Sequence, residues 1–186
     1  MREPKLARQG LNLLNQGMIE LMTADDHALI VKTISWPTED ATRQWAAQLV
    51  QHSGLARALI TLHGALGAGK TTLTRHLLTA LGVQGRIKSP TYAVVEAYTV
   101  DGLGTAALNI WHFDFYRFND PDEWEEAGFR DVFASDGLKL VEWPDKAGAY
   151  LPQADLAIML ESLSDTARRV TLTAHTALGR DLIAAA

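Results

Sequence analysis

Cysteine is absent from the 186 residues, which excludes disulfides and thiolate metal centres and leaves a cytoplasmic protein as the expectation. No stretch approaches ~18 uninterrupted apolar residues, so no membrane-spanning helix is predicted. Arg2, Lys5 and Arg8 open the chain, but Asn12, Asn15 and Gln16 interrupt any apolar run of signal-peptide length. Positive charge is also in deficit: 17 Lys and Arg against 22 Asp and Glu leave a formal charge of −5. Such a chain has no broad electrostatic grip on nucleic acid, and contact with RNA needs a local basic patch or a partner that supplies one. The six histidines show no metal-ligand spacing of the H-E-x-x-H kind. Internal repeats and low-complexity tracts are missing as well. What remains is ordinary globular composition, 47% hydrophobic and 21% charged, at a length that suits one domain with one good core.

One octet stands out from this background. Gly64-Ala65-Leu66-Gly67-Ala68-Gly69-Lys70-Thr71 satisfies every constrained position of the G-x-x-x-x-G-K-[ST] phosphate-binding loop. Gly67 and Gly69, with Ala68 between them, let successive backbone N–H groups converge on one anion without a Cβ in the way. Lys70 brings a point charge to the β/γ-phosphates and Thr71 offers a hydroxyl to Mg²⁺. Thr72 lies in the first turn of the helix that aims its positive end at the same phosphates. The flanks agree: residues 58–63 form a short apolar run of strand length. Leu73, Leu77, Leu78 and Leu81 share one helix face, and Gly82 stops the helix. The motif predicts a binder of nucleoside triphosphate.

Along the rest of the chain, residues 1–27 read as a polar N-terminal extension, expected to be flexible, ahead of a single P-loop ATPase domain over 28–186. Residues 28–34 predict a strand. Pro37 and Thr38 open a helix with Thr38 as N-cap and Glu39 and Asp40 in its first turn. Ala41, Trp45, Ala46, Leu49 and Val50 give that helix a core face. Residues 83–92 are a polar connection broken by glycine and proline. Two strand-like runs, 93–100 and 106–114, flank a hairpin loop at Asp101-Gly102-Leu103-Gly104. A short acidic helix over 121–127, strands over 138–143, 156–160 and 170–174, and a closing helix in the last ten residues complete the pattern. Strands outnumber helices and several adjoin without a crossover. The predicted class is therefore α/β, a P-loop NTPase fold whose central sheet is mixed parallel and antiparallel and flanked by helices.

A P-loop needs an acid near its magnesium to do chemistry. Asp114 ends one strand-like run in the manner of a Walker B strand, and Glu142 ends another, just before Trp143-Pro144. If both strands run parallel to the P-loop strand, both acids fall beyond its carboxyl end, where ligands of open α/β sheets sit. Either acid alone is equally a solvated strand-end residue. The Ser89-Pro90-Thr91 turn places hydroxyls on a loop that can order against a γ-phosphate, though the triplet is also an ordinary turn. His112 shares a strand face with Asp114 and reads as a packed neighbour rather than an acid–base catalyst. Arg117 reads equally as a phosphate clamp or a surface arginine.

These residues together resemble one family. The P-loop, Lys88-Ser89-Pro90-Thr91-Tyr92 followed by Val95-Glu96-Ala97-Tyr98, His112-Phe113-Asp114-Phe115-Tyr116-Arg117 and Val141-Glu142-Trp143-Pro144 occur in the order and spacing of the TsaE family, over residues 34–170. Phe115 stands where family members often carry leucine. The resemblance implies an ATP-binding and ATP-hydrolysing subunit that works with TsaB and TsaD proteins in making threonylcarbamoyladenosine next to the anticodon of certain tRNAs. It reaches tRNA only through that complex, with no membrane. It further implies that Lys70 contacts phosphates, that Thr71 and Glu142 are Mg²⁺ ligands, and that Asp114 is the essential acid near the γ-phosphate. Thr91 becomes the switch-loop residue, Trp143 lines the nucleotide site and Glu39 lies near the adenine. Arg168 or Arg169 is a loose match to a nucleotide-contacting arginine.

Two other functions share the P-loop. A small-molecule or nucleoside kinase could use Asp114 and Arg117 on an acceptor, but needs an arginine-bearing lid that only Arg168-Arg169 could supply. A binding module could use ATP merely to select a docking conformation. A regulatory GTPase is disfavoured because no N-K-x-D motif follows the P-loop.

Overall fold

A computed structural model describes residues 19–21, 29–101 and 107–185. In chain order its elements are β1 (Ile19–Leu21), β2 (Ile30–Trp36), α1 (Glu39–Leu49), β3 (Leu59–His63), α2 (Lys70–Ala80), β4 (Val95–Val100), β5 (Leu108–Asp114), α3 (Asp122–Glu126), α4 (Phe129–Ala134), β6 (Leu138–Glu142), β7 (Leu156–Ser162), β8 (Arg168–Ala174) and α5 (Ala177–Ala185). Short 3-10 segments occupy Ser53–Arg57 and Pro144–Tyr150. Local chemistry sets the boundaries as expected. The Thr38 hydroxyl accepts from the Ala41 N–H at 3.3 Å, capping α1. Gly82 takes a left-handed φ of 95° just beyond α2.

The described strands form one sheet in the order β1-β2-β8-β7-β3-β6-β5-β4. The middle four, β7, β3, β6 and β5, run parallel, while β4 and the β8–β2–β1 side are antiparallel. The mixed α/β sheet is thus present. Alternation of period two divides the central strands between two cores. Ile110, Leu138 and Leu140 face a cluster that includes Trp45 and Leu49 of α1, Leu73, Leu77 and Leu78 of α2, and Leu182 of α5. Phe113 and Val141 face the other way, into an aromatic cluster with Phe115, Phe118, Trp124 and Phe129.

Several details depart from the sequence reading. Helix α4 was not anticipated, and β2 runs on to Trp36, whose ring packs 5.2 Å from that of Trp45. On α1, Thr42 is buried while Ala41 is only half-buried. Residues 19–21, within the expected extension, pair antiparallel with β2. The remainder of residues 1–28 lies outside the described residues, as do residues 102–106 of the expected hairpin loop. No helix among the described residues is long and apolar enough to cross a membrane.

Candidate nucleotide site

The parallel strands deliver three pieces to one edge of the sheet: the loop leaving β3, Glu142 at the end of β6 and Asp114 at the end of β5. Asp114 and Glu142 are register partners across β5 and β6. The loop needs its glycines. Gly64, Gly67 and Gly69 have φ of 130°, 79° and 108°, values that side chains disfavour. A Cβ on Gly64 would also lie 2.3 Å from the Leu160 carbonyl oxygen.

Lys70, at the start of α2, is buried and curls back over the loop. Its ammonium donates to the carbonyls of Gly64 at 2.7 Å and Ala65 at 2.9 Å, and stands 3.8 Å from the centre of the Trp143 ring. Burial pulls its pKa below the ordinary lysine range, while the Glu142 and Asp114 carboxylates act in the opposite direction. The Thr71 hydroxyl donates to Glu142 Oε2 at 2.9 Å. The other oxygen of that carboxylate lies 2.9 Å from His112 Nε2, with both residues buried. Asp114 is also buried. Its Oδ2 accepts from the hydroxyls of Ser89 at 2.5 Å and Thr91 at 2.6 Å, and its Oδ1 from the Tyr116 N–H at 3.1 Å. Trp143 holds a left-handed φ of 57° and packs 5.1 Å from Tyr116.

Beside the loop is a cleft of about 140 Å³ lined by Glu39, Thr42, Gly69, Thr72, Leu160, Asp165, Thr166 and Arg168. Glu39 therefore lies next to the phosphate loop, where its Oε1 meets His76 Nε2 at 3.1 Å. Arg168 behaves as a strut. Its Nε donates to the Ala68 carbonyl at 2.8 Å, and an Nη donates to the carbonyls of Ser164 and Ala167, both at 2.9 Å. Arg169 points elsewhere, toward Glu161 at 3.8 Å. Arg117 stacks over the exposed ring of Tyr92 at 4.0 Å.

The structure thus brings Gly67, Ala68, Gly69, Lys70, Thr71, Thr72, Thr91, Asp114, Glu142 and Trp143 to one site, with Glu39 on the wall of the adjoining cleft. Sequence reasoning missed three contributors: Ser89 as the second hydroxyl on Asp114, His112 as the partner of Glu142, and Arg168 as the brace of the loop. Ser89 and His112 sat inside motifs already singled out, whereas the bond from Arg168 to Ala68 spans one hundred residues of chain.

Thr71 and Glu142 offer hard oxygen donors side by side, a set that suits Mg²⁺. Among the described residues no group of three or more His, Cys, Asp or Glu side chains is arranged to hold a metal alone. A cation here needs water or a ligand oxygen to complete its shell, the usual habit of Mg²⁺ beside phosphates.

A family model for "Threonylcarbamoyl adenosine biosynthesis protein TsaE" matches residues 36–170. The chain belongs to the TsaE family. Among similar proteins, the tRNA threonylcarbamoyladenosine biosynthesis protein TsaE of Haemophilus influenzae is 46% identical over 127 residues, 68% of this chain and 77% of the relative. The TsaE protein of Bacillus subtilis is 34% identical over 145 residues, covering 77% and 87%. The crystal structure of Bacillus subtilis YdiB superposes with a TM-score of 0.63 at 30% identity, over 83% of this chain and 93% of that one. The span matched to TsaE takes in the P-loop, Thr91, Asp114, Glu142, Trp143 and Arg168.

Proposed function

We propose that this chain binds ATP with Mg²⁺ and hydrolyses it to ADP and phosphate in support of threonylcarbamoyladenosine formation on tRNA, acting with TsaB and TsaD proteins. The observation that carries the reading is the 2.9 Å contact between Thr71, at the end of the P-loop, and Glu142, at the end of a parallel neighbouring strand. That juxtaposition of hydroxyl and carboxylate is what Mg²⁺ on a β/γ-phosphate requires. When bound, the ion neutralises charge developing on the phosphoryl oxygens.

The chain's own groups do the rest. The loop N–H groups bind phosphate oxygens, and Lys70 exchanges its two carbonyl contacts for the phosphates. His112 holds Glu142 in place, and Asp114 orients the attacking water once its oxygens are freed from Ser89 and Thr91. Those hydroxyls then serve as γ-phosphate contacts on the switch loop. In the absence of partners both Asp114 oxygens are engaged by its own neighbours, so hydrolysis by the chain alone should be slow and should accelerate in the complex. The kinase reading loses its lid, because Arg168 is committed to backbone carbonyls.

ATP turnover of the purified chain, with and without TsaB and TsaD proteins, tests this reading. Lys70→Ala and Glu142→Ala should each lower turnover about 100-fold or more with unchanged circular dichroism. Wild-type turnover in either variant refutes the proposal.

A further inference from the structure

Arg168 opens β8 with its backbone held on both sides, opposite Trp36 of β2 and Ser162 of β7 in the antiparallel register. A side chain rooted inside a sheet is placed more exactly than one on a loop. From that root the guanidinium reaches two separate pieces of chain. Nε donates to the Ala68 carbonyl at 2.8 Å, and one Nη donates to the carbonyls of Ser164 and Ala167, both at 2.9 Å. Among the described residues no carboxylate lies within ion-pair distance of it. Backbone dipoles alone answer the charge.

The bond to Ala68 has a consequence inside the phosphate loop. Among the described residues that carbonyl has no other donor and no peptide is cis. In a trans peptide the carbonyl and the following N–H point in opposite directions. Holding the Ala68 carbonyl on Arg168 therefore turns the Gly69 N–H the other way. That N–H has no acceptor among the described residues, and it sits at the N-cap of α2. Gly69 has a φ of 108°, a torsion that lets this peptide swing at little steric cost, so the loop cannot fix it unaided. A Cβ on Gly69 would meet Arg168 Nε at 3.6 Å, so the guanidinium lies directly against the peptide it orients.

We propose that Arg168 is a positioning residue for the phosphate loop. By holding the Ala68 carbonyl it presents the Gly69 N–H to a polyphosphate, and so sets the affinity for nucleotide without touching it. The inference rests on the proposed function only in taking a nucleotide polyphosphate as the loop's ligand. The competing role, a staple for the turn at 164–167 alone, lowers stability and leaves nucleotide affinity unchanged.

Calorimetric titration of the full chain with ADP and Mg²⁺, together with amide spectra of the ligand-free protein, separates the two. Arg168→Met removes every donor and keeps an apolar stem, and Arg168→Gln does the same with a polar end too short to span both contacts. Each should weaken ADP binding about tenfold or more and move the Gly69 amide resonance before any ligand is added, which loss of charge at a distance would not do. Either variant decides if the other fails to fold. Arg168→Lys returns one donor for Ala68 without the fork that spans the turn, and should recover most of the ADP affinity. Affinity within about twofold of wild type in a folded Met or Gln variant overturns the proposal, as does an unmoved Gly69 amide. A Lys variant as weak as the Met variant assigns the effect to the turn and overturns it too. Unchanged ADP binding in variants of a chain that hydrolyses ATP removes this inference and leaves the ATPase reading standing. A wild-type chain that binds ADP, loses it in these variants and never hydrolyses ATP does the reverse.

Discussion

His112 and Glu142 face each other inside the sheet, 0% and 2% exposed, with 2.9 Å between Nε2 and Oε1. A buried carboxylate oxygen that loses its donor pays the full desolvation penalty, about 1–3 kcal/mol or more for a charged group. His112→Ala should therefore lower the free energy of unfolding by about that amount, read from urea denaturation. It should also raise the Mg²⁺ concentration needed for nucleotide binding, because Glu142 would keep only the Thr71 hydroxyl to fix its orientation. His112→Gln, which can restore a donor, should recover part of both. A variant with wild-type stability and wild-type Mg²⁺ dependence would show that the contact does not position Glu142. His112 Nδ1 finds no partner among the described residues, so the imidazole is held from one side only.

Asp155 ties the elements behind the site together. One carboxylate oxygen accepts from the Leu59 N–H at 2.9 Å as β3 begins, and the other from the Thr176 hydroxyl at 2.6 Å as α5 begins. Helix α5 reaches this knot through Gly179, where a Cβ would lie 1.9 Å from the Asp155 carbonyl oxygen. Helix propensity alone makes Gly179→Ala stabilising by about 1 kcal/mol. The backbone clash is larger and decides the sign: the variant should lose about 1–3 kcal/mol in urea unfolding, and a gain in stability would rule out the close approach. Elements with a strong period or a cap, such as α1 with Thr38 and α2 with its leucine face, were legible in the sequence. Helix α4 was not, because six residues opening on left-handed Gly128 show neither a cap bond nor a full apolar period. Strand order was equally hidden. Nothing local in residues 108–114 or 138–142 records that these strands lie side by side, yet that pairing is what sets Asp114 against Glu142. The bonds from Arg168 to Ala68 and from Ser89 to Asp114 are legible only once the chain has folded.

At the scale of the whole molecule, the candidate site is assembled from segments that only the fold brings together: the P-loop after β3, Glu142 on β6, Asp114 on β5, the Ser89–Thr91 loop and the Arg168 strut from β8. A ligand that bridges them binds the folded chain and has nothing comparable to bind in the unfolded one. Mass action then adds about 2.7 kcal/mol of stability at a hundredfold excess over Kd. For a chain of this size each kcal/mol moves Tm by about 2–4 °C, so saturating ATP with Mg²⁺ should raise Tm by about 5–10 °C. Chelating the metal should remove most of that rise, because Thr71 and Glu142 then lose the ion that couples them to the phosphates and Glu142 faces the triphosphate as an unscreened like charge. Glu142→Ala separates the two effects. It removes the repulsion together with the metal ligand, so its Tm should respond to ATP nearly equally with and without Mg²⁺. A full metal-dependent shift in Glu142→Ala, measured by thermal unfolding, would place the cation somewhere other than between β6 and the P-loop.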